Sequence, residues 1–306
     1  MSSRTIRIPQ SAIHNPQSAI PPDWLRARAE ASPRALALRV GAASWTYGEL
    51  DGLVDGLCGW LTAAGLPANG RVAALLPNSL EYVCLIHALV RLGQTLVPLN
   101  TRLTAAEIRW QLEQLGCELL ITEDGGLRTG DWEKLTVRHH APIQNPKSKI
   151  QNPSPQAILF TSGTTGHPKA VALTLENHFY SAFGSATKLG VQVDDVWLSC
   201  LPLYHVGGLA VIFRSCLYGT AVDLHPRFEL AAVNHALDHH QITMISVVPT
   251  MLYRLVQSRT AWPASLRLIL VGGAAAEEGL VRAANELGRG QRSRGAGGRW
   301  WRRRMG

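Results

Sequence analysis

A chain of 306 residues with 46% hydrophobic content has the material for one large or two modest domains around a real core, which excludes the disordered class. No apolar run approaches the roughly 20 residues that span a bilayer, and residues 1–22 lack the apolar centre of a secretory signal, so the expected compartment is the cytoplasm. A net charge of +8 would normally point to nucleic acid. Residues 289–306, however, hold seven arginines and no acid, which leaves the rest nearly neutral and argues against a nucleic-acid surface on the body.

In chain order, Pro9-Gln-Ser-Ala-Ile13 recurs as Pro16-Gln-Ser-Ala-Ile20, and Ile143-Gln-Asn-Pro146 recurs as Ile150-Gln-Asn-Pro153. A proline in every seven residues forbids a continuous helix, so residues 1–22 read as a low-complexity leader and 139–155 as a low-complexity linker. Residues 23–138 form the expected first α/β subdomain. There Thr46 and Glu49 make a capping box, followed by apolar Leu50, Leu53, Val54, Leu57, Trp60 and Leu61 at helical spacing up to Gly65. Strands are predicted at Val72–Leu76, Thr95–Leu99 and Glu118–Thr122, and helices at Glu81–Arg91 and from the Thr104/Glu107 capping box to Gly116.

Residues 156–288 form the expected second subdomain, with strands at Val196–Leu201, Thr220–Leu224, Thr243–Val248 and Leu266–Val271. Helices are predicted around 175–189, 208–218, 229–240, 250–258 and 277–287. The alternation implies an α/β fold of layered, mostly parallel sheets with covering helices. Residues 289–306 have too little apolar surface to offset the entropy of ordering and are expected to be a disordered Arg/Gly-rich tail. Five widely spaced cysteines (Cys58, Cys84, Cys117, Cys200, Cys216) read as buried small hydrophobes. His235, His239 and His240 have spacing that could hold a metal, but a solvated helix face explains them better, and no metal ligand is assigned.

The most informative stretch is Ala157-Ile-Leu-Phe160, then Thr161-Ser162-Gly163-Thr164-Thr165-Gly166, then His167-Pro168-Lys169. An apolar strand ends in a loop whose glycines let backbone N–H groups turn toward an anion. Ser162, Thr164 and Thr165 add hydroxyl donors and Lys169 the one positive charge. A plain surface turn would lack the strand before and the Pro-Lys pair after. A Walker A loop needs four residues between its glycines and a Lys-Ser/Thr after the second, whereas here two residues separate them. The segment resembles the signature of the acyl-adenylate-forming (AMP-binding) enzymes, which include acyl-CoA synthetases, luciferases and peptide-synthetase adenylation domains.

Two later segments fit that resemblance. Leu201-Pro-Leu-Tyr204-His205-Val-Gly-Gly-Leu209 follows a strand and opens a helix, the edge at which open α/β sheets bind ligands; in the family a matching segment lines the acyl pocket. Val271-Gly272-Gly273-Ala274 permits close approach by a flat ligand and resembles the family's adenine border. The patterns around Gly207–Gly219, Arg227–Phe228, Ala232–Asn234 and Val248–Leu252 are similar to the o-succinylbenzoate:CoA ligase branch of menaquinone biosynthesis.

The resemblance implies ATP, Mg²⁺ and coenzyme A as cofactors or co-substrates and a small-molecule carboxylate as substrate. Thr161, Ser162, Gly163, Thr164, Thr165, Gly166 and Lys169 would hold phosphates, Gly272, Gly273 and Ala274 would border adenine, and Tyr204 and His205 would meet the acyl group, with Lys169 and His205 the expected catalytic pair. A homo-oligomer is compatible with this reading. After Gly288 the family's Tyr-Gly-x-Thr-Glu and Thr-Gly-Asp motifs and its C-terminal lysine are not found; Thr129-Gly-Asp131 lies upstream of the loop and is a coincidence. The expectation is therefore a truncated ligase, with the tail a frameshift product. The alternatives are a non-catalytic nucleotide-binding module and an RNA-binding protein acting through the basic tail.

Overall fold

The computed structural model describes residues 23–66, 70–117, 119–123, 135–139 (backbone), 155–161 and 168–288. The leader, nearly all of the linker, the Thr129–Asp131 triplet and the tail lie outside the described residues, as do Ser162, Gly163, Thr164, Thr165 and Gly166.

Helix α1 (Trp24–Ala31) starts at Asp23, whose carboxylate accepts from the Arg26 N–H. Strands β1 (Leu36–Val40) and β2 (Ala43–Thr46) form a hairpin around Gly41 at φ +60°, a conformation that favours glycine. The Thr46/Glu49 capping box then launches α2 (Tyr47–Ala63). Next come β3 (Arg71–Leu75), α3 (Leu80–Arg91) and β4 (Thr95–Pro98). Helix α4 (Ala105–Leu115) starts at the Thr104/Glu107 box and stops at Gly116. Beyond it lie β5 (Leu119–Glu123), β6 (Leu135–His139), β7 (Ala157–Thr161), β8 (Lys169–Leu173) and α5 (Leu175–Leu189). The chain continues through β9 (Val196–Ser199), α6 (Val206–Tyr218), β10 (Ala221–Leu224), α7 (Leu230–His239), β11 (Met244–Val247), α8 (Pro249–Ser258), β12 (Leu268–Val271) and α9 (Glu278–Leu287).

Among the described residues the strands form two sheets, ordered β6-β5-β3-β4-β7-β8 and β12-β11-β9-β10-β1-β2. Only the pairs β1/β2, β5/β6 and β7/β8 are antiparallel. Side-chain alternation gives each sheet two buried faces. Val72 and Ala74 of β3 meet Leu38, Trp197 and Val222 of the other sheet across α1, α2, α3 and α6. Ala73 and Val97 face outward onto Leu112 and Leu115 of α4, while Leu198, Ile245 and Ile269 face outward onto α7, α8 and α9. The result is five layers, helix-sheet-helix-sheet-helix, matching the expected α/β class. All five cysteines are buried and unpaired.

Each sheet draws strands from both sides of residues 139–155. The phosphate-loop strand β7 completes the sheet begun by β3, and β1 with β2 completes the sheet of β9–β12. The linker therefore marks a change of composition without dividing the two sheets. Charge locks the interleaved helices: Arg91 of α3 reaches Asp23 at 2.6 Å, Asp51 at 2.5 Å and Asp55 at 2.6 Å. At the start of β9 the fully buried Asp195 carboxylate takes Arg267 and the Thr243 hydroxyl, which compensates a charge that would be costly alone.

Candidate functional site

The strands that flank the loop with the nucleotide-like signature, β7 and β8, pair as antiparallel neighbours. Strand β7 lies beside β4, with Ala157, Ile158 and Leu159 buried, so the strand leading into the loop is fixed by the core. Strand β8 returns antiparallel with Thr161 opposite Lys169, and the Thr161 hydroxyl donates to the Lys169 carbonyl at 3.4 Å. Both residues are exposed. Because the chain returns as a strand, no helix N-terminus follows the loop to supply partial positive charge; Lys169 places a formal charge at the start of that strand. Val171 is 42% exposed, so the apolar residues after the loop belong to an open edge strand. At the root of the hairpin Gln156 meets the buried His178 ring of α5, Oε1 to Nε2 at 3.0 Å.

The Tyr204–His205 segment sits at the C-terminal end of β9, as expected from the sequence. His205 is the N-cap residue of α6 and makes no side-chain capping bond, so its imidazole is available to something else. It is exposed, it packs edge-on against the buried Tyr204 ring with centroids 4.7 Å apart, and its pKa is lowered by loss of solvent and by the nearby Arg102 charge. The ring is neutral at pH 7 and suits positioning or hydrogen bonding better than carrying a proton. Gly208 explains how α6 lies so close to the turn: a Cβ there would meet the carbonyl oxygens of Pro202 at 2.3 Å and Leu201 at 2.7 Å.

Gly272, Gly273 and Ala274 leave the C-terminal end of β12 of the same sheet. The Gly272 N–H donates to the Val247 carbonyl at 3.0 Å, and Gly273 takes φ +79° with Val248 3.1 Å from where a Cβ would be. Gly273 and Ala274 are exposed. This is a tight turn with open backbone, a form that fits close approach by a flat ring.

Two residues of the first sheet join these second-sheet loops, and sequence reasoning missed both. Arg102, after β4, acts electrostatically on His205. Asn78, after β3, bonds to Leu201, Leu203 and His225. The described candidates lie at strand ends in both sheets: Thr161 and Lys169 in one, Tyr204, His205 and Gly272–Ala274 in the other. Asn78 followed by Ser79 reads in sequence as an ordinary turn; only its partners, at least 123 residues away, give it another meaning. His235 and His239 stack on the exposed side of α7, and His240 turns to Asp223, Nδ1 to Oδ2 2.7 Å.

A two-sheet α/β molecule, with a glycine- and hydroxyl-rich loop between paired strands and open turns at strand ends, frames the family assignment: the chain belongs to the AMP-binding enzyme family, whose profile matches residues 25–297. Among its relatives, the 2-succinylbenzoate–CoA ligase of Bacillus pumilus (strain SAFR-032) is 37% identical over 274 residues, covering 87% of this chain and 56% of its own length. Among solved structures, O-succinylbenzoate coenzyme A synthetase from Bacillus subtilis in complex with AMP superposes with a TM-score of 0.78 at 34% identity, over 89% of this chain and 57% of that one. The inhibitor-bound N-terminal domain of FACL13 from Mycobacterium tuberculosis gives 0.74 at 28% identity, over 86% and 72%. The chain spans somewhat over half the length of the curated relatives it matches. No helix of the described residues is long and apolar enough to cross a membrane.

Proposed function

We propose that this chain is the nucleotide- and acyl-binding part of an ATP-dependent acid–CoA ligase whose substrate is an aromatic dicarboxylate, o-succinylbenzoate. The observation that carries the reading is the hairpin in which Lys169 stands opposite Thr161 across the glycine- and hydroxyl-rich loop, in a chain of the AMP-binding family. In the first half-reaction the substrate carboxylate attacks the α-phosphorus of ATP in line, and pyrophosphate leaves. In the second, the coenzyme A thiol displaces AMP to give the thioester. Lys169 would neutralise charge that shifts onto the leaving phosphates, and His205, neutral beside Tyr204, would orient the acyl group. The open turn at Gly272–Ala274 would border adenine.

Magnesium bound with ATP would offset phosphate charge. Among the described residues no group of three His, Cys, Asp or Glu side chains forms a metal cage, so no step is assigned to protein ligands of that ion. The relatives named for succinylbenzoate support the acyl class. The test is isotope exchange between pyrophosphate and ATP with the chain alone. Exchange that requires o-succinylbenzoate supports adenylation; ATP binding without exchange favours a non-catalytic nucleotide module. Absence of ATP binding would falsify both.

A further inference from the structure

We infer that Asn78 is a positioning residue that fixes the Tyr204–His205 turn and ties it to the sheet carrying the phosphate-loop hairpin; its catalytic meaning rests on the ligase reading above, while its geometry does not. Asn78 is 4% exposed and uses its amide on both sides. Nδ2 donates to the carbonyls of Leu201 at 2.9 Å and His225 at 3.1 Å, and Oδ1 accepts from the Leu203 N–H at 2.8 Å. Three of the amide's four bonding positions are therefore filled. Turning the amide over would set its NH₂ against the Leu203 N–H and its oxygen against two carbonyls, so the orientation is fixed by the network.

The partners straddle Pro202, which has no N–H of its own. Asn78 grips the turn on either side of that proline, and the His225 carbonyl it also holds leaves the neighbouring parallel strand β10. On the other side Gly208 lets α6 press against the Pro202 and Leu201 carbonyls, and the His205 N–H closes the turn onto the Pro202 carbonyl at 3.1 Å. The pose of His205 is inherited from a turn clamped between one side chain of the first sheet and one missing side chain of the second. An aspartate at position 78 would present lone pairs to both carbonyls, and an alanine would leave them and the Leu203 N–H without their partner.

The experiment uses the isotope-labelled 306-residue chain and three variants. Asn78→Ala removes all three bonds. Asn78→Asp keeps the acceptor for Leu203 and loses both donors. Arg28→Gln is the control, removing bonds to the Cys216 and Leu217 carbonyls at the other end of α6. In Asn78→Ala the Leu203 amide should exchange at least about tenfold faster than the change in global stability accounts for, and the Tyr204 and His205 ring resonances and the His205 titration midpoint should move. In Asn78→Asp the Leu203 amide should keep its protection while the His205 ring still moves. If Asn78→Ala does not fold, the aspartate variant decides. Ring signals unchanged in the Asn78 variants, or moved as far by Arg28→Gln, overturn the positioning role and leave a plain staple. Titrating o-succinylbenzoate into the unsubstituted chain separates the two readings, since a failure to bind counts against the ligase assignment alone.

Discussion

The two sides of the candidate site are built by opposite means. The hairpin side is an edge: the first three residues of β8 are exposed, and one long bond, Thr161 to Lys169, spans its mouth. The turn at Leu201–His205 is gripped by Asn78, abutted by Gly208 and backed by the buried Tyr204. On the proposed function this division makes physical sense. A multiply charged nucleotide needs an accessible edge by which to enter and leave, whereas the reacting carboxylate must be aimed, and small misplacement at the reacting centre is costly. Rigidity is spent where direction matters.

The sharpest way to break this contrast is Gly208→Ala. The new methyl would lie 2.3 Å from a backbone oxygen, and backbone cannot swing aside as a flexible side chain can. A destabilisation of about 3 kcal/mol or more is expected, measured as a lowered urea midpoint at constant slope. A loss under about 1 kcal/mol would mean that the turn yields and is not clamped.

Lys169→Ala probes the open side. With its ammonium exposed and no ion pair to it among the described residues, removing it should leave folding stability within about 0.5 kcal/mol. ATP binding should weaken by about 1.5–3 kcal/mol through loss of a charge-assisted phosphate contact. Calorimetry giving equal ATP affinity for variant and parent defeats the phosphate role of Lys169.

Acid should loosen the join between the two sides. His178 links the hairpin root at Gln156 to the Phe213 ring of α6, 4.4 Å between centroids, and His87 packs edge-on against the same Phe213. Burial holds the pKa of each at about 4, below the 6.5 of an unfolded histidine. Between those values the unfolded chain binds protons that the folded chain refuses. Stability is therefore full above about pH 6.5 and falls with pH by about 1.4 kcal/mol per unit for each histidine. The lowered carboxyls of Asp23 and Asp223 add their own loss only below about pH 4, which keeps the histidine window separate. Urea midpoints at pH 7 and pH 5 test this, with His87→Leu expected to halve the slope; a flat profile contradicts it.

What the sequence made legible was local. The Thr46/Glu49 and Thr104/Glu107 capping boxes and helix 175–189 are where periodicity put them, because caps and apolar spacing act within one helical turn. Helix α1 has a polar, arginine-rich face that hides its period, and it was not foreseen. Nor was the β1–β2 hairpin, whose short strand β1 carries Arg39 and gains meaning only beside β10, where Arg39 reaches Asp223 184 residues away. The interleaving of the sheets follows from the family resemblance and not from the residues' own pattern: composition changes at 139–155, but strand partners are chosen by long-range pairing that periodicity does not encode. In the candidate site, Tyr204, His205 and Gly272–Ala274 stand at strand ends as read, while Asn78 and Arg102 needed three dimensions.

The smallest expected effect sharpens the contrast by using the same chemical change where nothing presses. Gly184 lies inside α5, on the exposed side near Tyr180 and Phe183, which are 67% and 62% exposed, and a Cβ there would meet no atom within 4 Å. Its backbone is helical, so alanine needs no strain to fit, and the substitution acts mainly by narrowing the unfolded ensemble. Gly184→Ala should raise stability by about 0.5–1 kcal/mol, seen as a higher urea midpoint with unchanged slope. Set beside Gly208→Ala, one added methyl would then stabilise on the open face and destabilise at the clamped turn. A loss of stability at both positions would place the penalty in α-helical glycines generally and remove the steric argument for Gly208.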